Sequence, residues 1–175
     1  MKTFHELLKS RRSIRKYTDE ALSPEDVRLI LEAALMAPSS KRSTGWEFIV
    51  IEEKEKLEKL SYCKEFGAKP IAGAAMAVVV LADPLKSDVW IEDASIASIL
   101  MQLQAEDLGL GSCWIQIRNR LTENGQSAED YIREMLGIPY QIQVLSVITF
   151  GHKNEERKPF DEEKTMWEKI HIDKW

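Results

Sequence analysis

Apolar and polar positions alternate along this chain with two different periods, and the longest patterned stretch runs from Trp90 to Trp114. No charge interrupts it between Asp93 and Glu106. Ile96, Ile99, Leu100 and Leu103 fall at helical spacing, and so do Ala97, Met101, Ala105 and Leu108. Two apolar stripes on one helix predict burial nearly all round. The helix over Ile91 to Leu108 would be about 27 Å long at about 1.5 Å per residue. Ser95, Ser98 and Gln102 make it too polar for a membrane span and suit close contact with another helix. Gly109 supplies the positive φ of a C-cap. The chain then enters Gly111 to Ile117, which reads as a strand.

The remaining segments follow the same logic. Thr3 to Ser10 is a short helix with Thr3 as its N-cap. Ser23-Pro24-Glu25-Asp26 is a strong helix start, with a capping hydroxyl, proline in the first turn and acids at the positive end of the dipole. Val27, Ile30, Leu31, Ala34 and Leu35 form its inner face, and it must stop before Pro38. Phe48–Ile51 reads as a strand, and Lys54 to Leu60 begins a helix. Ala75 to Ala82 is a continuous apolar run, as expected of a strand covered on both faces. Ala128 to Leu136 is a helix closed by Gly137, and Gln143 to Gly151 is the last strand. Strands alternating with helices place the chain in the α/β or α+β class.

At 175 residues the chain reads as one domain, large enough to bury roughly 70% of its unfolded surface. A net charge of −5 gives no help toward non-specific nucleic-acid binding. No run is long and apolar enough for a bilayer. Met1 to Glu6 lacks the apolar core of a secretory signal. Cys63 and Cys113 match no metal spacing, and a reduced, cytoplasmic compartment is expected. His5, His152 and His171 are scattered, so neither a metal site nor a Ser-His-acid arrangement is predicted. The 152–175 tail is charged yet carries Phe160, Met166, Trp167, Ile170, Ile172 and Trp175, which predicts packing against another surface such as a second subunit.

Three segments could carry chemistry. Arg11, Arg12, Ser13 and Arg15 place three guanidinium groups and a hydroxyl within five residues. Guanidinium forks fit phosphate oxygens bidentately, although the same cluster suits a solvated helix C-terminus. Pro38-Ser39-Ser40-Lys41-Arg42 offers hydroxyls, N–H groups and cations on a loop between a helix and a strand, which is either a ligand loop or an ordinary polar connection. Gly109 to Gln116 has neither GxGxxG nor Walker spacing, and alone it reads as a tight turn into a core strand. Asp93, at the head of the apolar helix, reads as a capping or interface group rather than a general base.

In order and spacing, these segments resemble the nitroreductase family of FMN-dependent oxidoreductases. The resemblance runs through Arg11 to Arg15, Ala37-Pro-Ser-Ser40, Trp46 to Ile51, Glu92-Asp-Ala-Ser, Leu108 to Trp114, Leu136-Gly-Ile-Pro139 and Val147 to Gly151. It implies an α+β, three-layer sandwich with a central mixed sheet and a long buried helix at a homodimer interface. Residues 1–175 would form a single FMN-binding domain, with 152–175 a C-terminal extension packed on the dimer. Arg11, Arg12 and Ser13 would hold the FMN phosphate and ribityl chain, and Arg15 the pyrimidine edge. Pro38, Ser39, Ser40 and Arg42 would approach the same flavin from the other subunit. Trp114, Ile115 and Gln116 would line the ring, with the Gln116 backbone N–H near N5. Arg157 and Lys158 would complete the phosphate site. The implied chemistry passes a hydride from NAD(P)H through flavin N5 to a nitroaromatic, quinone or similar small acceptor, with no side-chain nucleophile and no metal. Same-fold alternatives are reductive dehalogenation, flavin fragmentation and a non-enzymatic flavin-binding protein. The family often carries Asn, Gln and Pro where this chain has Arg42, Thr44 and Gly45. Arg can only donate, so Arg42 either favours the reduced, anionic flavin or selects an acidic substrate.

Overall fold

The computed structural model of the protein describes residues 3–175. Helix α1 (Phe4–Ser10) starts at a capping box. Thr3 Oγ1 accepts from the Glu6 N–H, and the Glu6 carboxylate reaches back to the Thr3 N–H. Helix α2 (Pro24–Leu35) is capped by Ser23 and ends ahead of Pro38, as its sequence predicts. Then come β1 (Trp46–Ile51), α3 (Lys54–Leu60), β2 (Met76–Ala82), α4 (Trp90–Asp107), β3 (Gly111–Gln116), α5 (Ala128–Leu136) and β4 (Gln143–Gly151). Gly109 and Gly137, just past α4 and α5, take the positive φ of 79° and 66° that stops a helix cleanly.

The sheet order is β1-β2-β4-β3. Its centre, β2 and β4, is nearly all buried, which explains why β2 reads as an unbroken apolar run. The sheet expected to be mixed is antiparallel across its four strands. Its parallel component is one bridge, Ser13 to Ser112, because the Arg11–Arg15 segment meets β3 at a point instead of pairing along it.

Side chains alternate between two cores. Ile51, Val79, Cys113, Ile115 and Val147 pack under α3 and α5. Met76, Val78, Val80, Ile148, Phe150 and Trp114 pack under α2 and α4. Two helical layers therefore enclose the sheet. Ser98 and Gln102 inside α4 satisfy themselves, donating to the Ala94 and Ser98 carbonyls. The expectation that α4 is buried nearly all round does not hold within one chain. Ala94, Ala97, Met101 and Ala105 are covered, but Ile96 and Ile99 remain about two-fifths exposed (39% and 38%). Periodicity reports that a face is apolar, not that the same chain covers it.

Beyond β4 the chain turns back along the N-terminal segment. The Asn154 N–H donates to Lys16 O, and the Phe160 N–H to Lys9 O at 2.8 Å. After that, contacts thin out. Trp167, Ile172 and Trp175 are 74%, 80% and 99% exposed.

Candidate active site

Strand β3 is an edge strand, and its open side is where the candidate residues gather. In an antiparallel ladder, alternate residues turn N–H and C=O toward opposite neighbours. Ser112 O accepts the Ile14 N–H at 2.9 Å, so Ser112 faces away from β4. By the same alternation Trp114 and Gln116 present their backbone groups to the open edge. Just past the strand, Ile117 and Arg118 both donate toward Leu145 O on the β4 side. The Gln116 N–H is therefore free for a ligand at the edge. Its side chain is held still, accepting from Trp114 Nε1 at 3.0 Å and donating to Arg118 O at 2.9 Å. Ile115 is placed differently. Its side chain is buried in the α3/α5 core and, by the same alternation, its N–H and C=O face β4, so it turns no polar group to the open edge.

The arginine segment docks at the start of β3 because two glycines make room. A Cβ on Gly111 would sit 2.8 Å from Ile14 Cγ2, and one on Gly151 would sit 2.8 Å from Tyr17 Cδ1. Ile14 and Tyr17 are buried in these notches. Tyr17 Oη donates to Ile14 O at 2.6 Å and pairs with Thr149 Oγ1 at 2.8 Å. Burial pushes its phenol pKa well up, so it stays a neutral anchor. With Ile14 pinned inward, Arg12 and Arg15 are left exposed.

The returning tail completes this end. Glu155 Oε1 accepts the Arg15 backbone N–H at 2.5 Å, and its Oε2 pairs with Arg157 at 2.7 Å. The Arg15 N–H, and then Arg157, hold the Glu155 carboxyl below the usual carboxylate range. Arg12 lies between two cavities. One, of about 590 Å³, is shared with Ser10, Ile14, Asn154 and Arg157. The other, of about 850 Å³, is shared with Lys158, Phe160 and Lys164 and with the acids Asp161, Glu162 and Glu163. The structure thus brings Arg12, Arg157 and Lys158 together although they are far apart in sequence. Both thiols are buried; burial raises Cys113 and takes Cys63 up to about 12, so neither is a poised nucleophile.

The Ser39–Arg42 segment stands elsewhere. It leads into β1, the edge opposite β3, roughly 14 Å across three strand spacings. Its anchor is Asp93, only 4% exposed in the first turn of α4. Asp93 Oδ1 accepts the Ser40 N–H at 2.9 Å, and Oδ2 accepts from Ser87 Oγ at 2.8 Å and Ser43 Oγ at 3.5 Å. Ser39 Oγ accepts the Thr44 N–H at 3.0 Å. Glu106, at the other end of α4, pairs with Lys153 at 2.7 Å beside the arginine segment. Thirteen helical steps from Asp93 to Glu106 separate the two ends by about 20 Å. Within one chain the arginine segment and the serine loop are therefore held apart, at opposite edges of the sheet.

The profile of the nitroreductase family matches residues 8–66 and 59–152. The chain belongs to the nitroreductase family. Within that family it is 48% identical to a solved "FMN-dependent Nitroreductase" of Clostridium difficile R20291, with a TM-score of 0.94 over 97% of this chain and 98% of that one. An Archaeoglobus fulgidus relative, provisionally named NADH dehydrogenase/NAD(P)H nitroreductase, is 38% identical over 174 residues, 97% of each chain. A Bacillus subtilis relative named "FMN reductase [NAD(P)H]" is 30% identical over 173 residues, 85% of this chain and 66% of its own. The nitroreductase fold and α+β class agree with these neighbours. Among the described residues, no helix is long and apolar enough to cross a membrane.

Two residues that anchor the candidate segments show their long-range role only in the structure. Glu155 is one acid among several in the tail, and its partner Arg15 lies 140 residues away. Asp93 reads as a capping or interface group, and in the fold it clamps a loop 53 residues upstream.

Proposed function

We propose that two copies of this chain build two flavin sites, each from the arginine half of one protomer and the serine half of its partner. These sites pass a hydride from NAD(P)H to a nitroaromatic, quinone or related electrophilic acceptor. The enzyme class, an FMN-dependent NAD(P)H oxidoreductase, follows from the family and from the names its relatives carry. The observation that carries the shared site is the open edge of β3, with the Gln116 N–H facing outward and the arginine segment docked at its start.

The residues present fit FMN. Arg11, Arg12 and Ser13 would take its phosphate and ribityl hydroxyls, with Lys158 and Arg157 closing the phosphate pocket. Arg15 would neutralise charge at the pyrimidine edge. Pro38, Ser39, Ser40 and Arg42 would come from the partner, since the helix and the sheet order keep them from the arginine half of their own chain. Bound FMN supplies reversible hydride transfer at N5. The protein would orient the ring and offer the outward-facing Gln116 N–H to it. A nitro acceptor balances as NAD(P)H + H⁺ + ArNO₂ → NAD(P)⁺ + ArNO + H₂O. No side-chain nucleophile is required.

The open α4 stripe of Ile96 and Ile99 and the exposed Trp167, Ile172 and Trp175 support the dimer, because this much apolar surface is costly on a monomer. Residues 1–175 then act as one domain whose 152–175 extension packs on the partner. A cytoplasmic location suits its supply of NAD(P)H. Mixing tests the shared site. Arg12→Glu and a Ser39→Asp/Ser40→Asp double variant are each expected to be inactive. Refolded together, they recover up to about a quarter of wild-type activity, because random pairing gives half mixed dimers with one intact site each. A flavin-loaded monomer in sedimentation, or no recovery despite subunit exchange, rejects this reading.

A further inference from the structure

Nine described residues have positive φ. Four are glycines, and two are Asn119 and Asp173, types that tolerate the left-handed region. The other three are Lys41 (51°), Arg42 (55°) and Thr44 (43°), all in one six-residue loop. Side chains with a full Cβ and a long stem are disfavoured in this conformation. The chain uses glycine elsewhere to avoid that cost, but here it keeps two cations. The conformation is imposed by the Asp93 clamp and by the Thr44 N–H bond to Ser39 Oγ. Strain held in place by a buried carboxylate points to a use for the strained side chains.

That use is not internal. Neither Lys41 nor Arg42 forms an ion pair or side-chain hydrogen bond among the described residues, and both are exposed. Two carboxylates of the adjoining β1 and α4 are already engaged. Glu47 pairs with Lys86 at 3.6 Å, and Asp93 is spent on the loop. An acidic protein thus holds two adjacent cations open, in a fixed backbone, on the loop that the flavin-site reading brings to the ring.

We propose that Lys41 and Arg42 are specificity-determining residues that receive an anionic group, a carboxylate or sulfonate, on the electron acceptor. This rests on the shared flavin site above. The guanidinium fork would grip the anion bidentately and the ammonium would add a point charge, so acceptors carrying such a group are turned over in preference to neutral isosteres.

The test uses the FMN-loaded dimer with a matched pair, 4-nitrobenzoate and 4-nitrobenzamide, and reads the ratio of their kcat/KM values. Lys41→Asn and Arg42→Asn suit it, because asparagine tolerates the left-handed backbone and the variants fold without strain. Each single variant is expected to lower the ratio about tenfold, as for loss of one charge-assisted contact. Lys41→Arg keeps it. Equilibrium dialysis of benzoate against the oxidised holoenzyme, which involves no turnover, shows the same loss. Both asparagine variants melt higher than wild type while losing discrimination, a combination that a merely structural role does not produce. An unchanged ratio overturns the proposal. A drop seen for NADPH against NADH instead moves the anion to the nucleotide and also overturns it. So does weakened dimerisation of the variants in sedimentation, which would make these cations partners of the acidic tail. A protein that holds no FMN, or reduces neither compound, rejects the flavin-site reading itself and this inference with it.

Discussion

The Glu155 carboxylate accepts the backbone N–H of Arg15 at 2.5 Å across 140 residues of chain, while its other oxygen holds Arg157 at 2.7 Å. One tail residue therefore ties down the arginine segment and orders a second cation beside it. Its pKa is lowered on folding by these partners. A lowered folded pKa contributes stability above the unfolded value of about 4.3, and that share is lost as pH falls through the folded value. Melting temperature should be insensitive to this group from neutrality to about pH 5 and fall below it. Glu155→Gln should remove that part of the acid dependence and loosen FMN at neutral pH. An acid limb identical to wild type would show that Glu155 holds nothing.

Gly111→Ala should cost about 1–3 kcal/mol, the range for overpacking. The new methyl group would sit 2.8 Å from Ile14 Cγ2 and 2.9 Å from Ile14 Cβ. Ile14 would leave its notch, and the three arginines would lose their common origin. FMN affinity, read by fluorescence quenching, should drop together with stability. Adding Ile14→Ala should restore much of the fit; a double variant no better than the single one would contradict the steric account.

Asp93→Ala removes the acceptor for the Ser40 N–H and for two hydroxyls. Leaving such buried donors unpaired should cost about 1–3 kcal/mol. Lys41, Arg42 and Thr44 should then relax out of the left-handed region. Hydrogen exchange over 39–44 should quicken, while exchange in β2 and β4 should not. Protection unchanged in that loop would show that Asp93 is only a helix-head group.

Riboflavin should bind far more weakly than FMN, because Arg12 faces both cavities that Arg157 and Lys158 line. Each charge-assisted bond to phosphate contributes about 1.5–3 kcal/mol. Arg12→Ala should narrow the gap between the two ligands and flatten its salt dependence. Equal affinities in the wild-type protein would remove the phosphate from this end of β3.

Much of the fold was legible in the residues alone. Helix starts at Thr3 and Ser23, stops at Gly109 and Gly137, and the apolar run of β2 all lie where local chemistry puts them. Caps and periodicity act within about four residues, so they survive without tertiary context. The arginine cluster and the serine loop were visible for the same reason, as residue types close in sequence. Tertiary structure decided the rest. Strand order made β3 an edge and turned the Gln116 N–H outward, while Ile115 went to the opposite core. Long-range bonds chose Glu155 from an acidic tail and turned Asp93 from a cap into a clamp. Those choices depend on which distant groups meet once the sheet is assembled, and no period or short spacing carries that information.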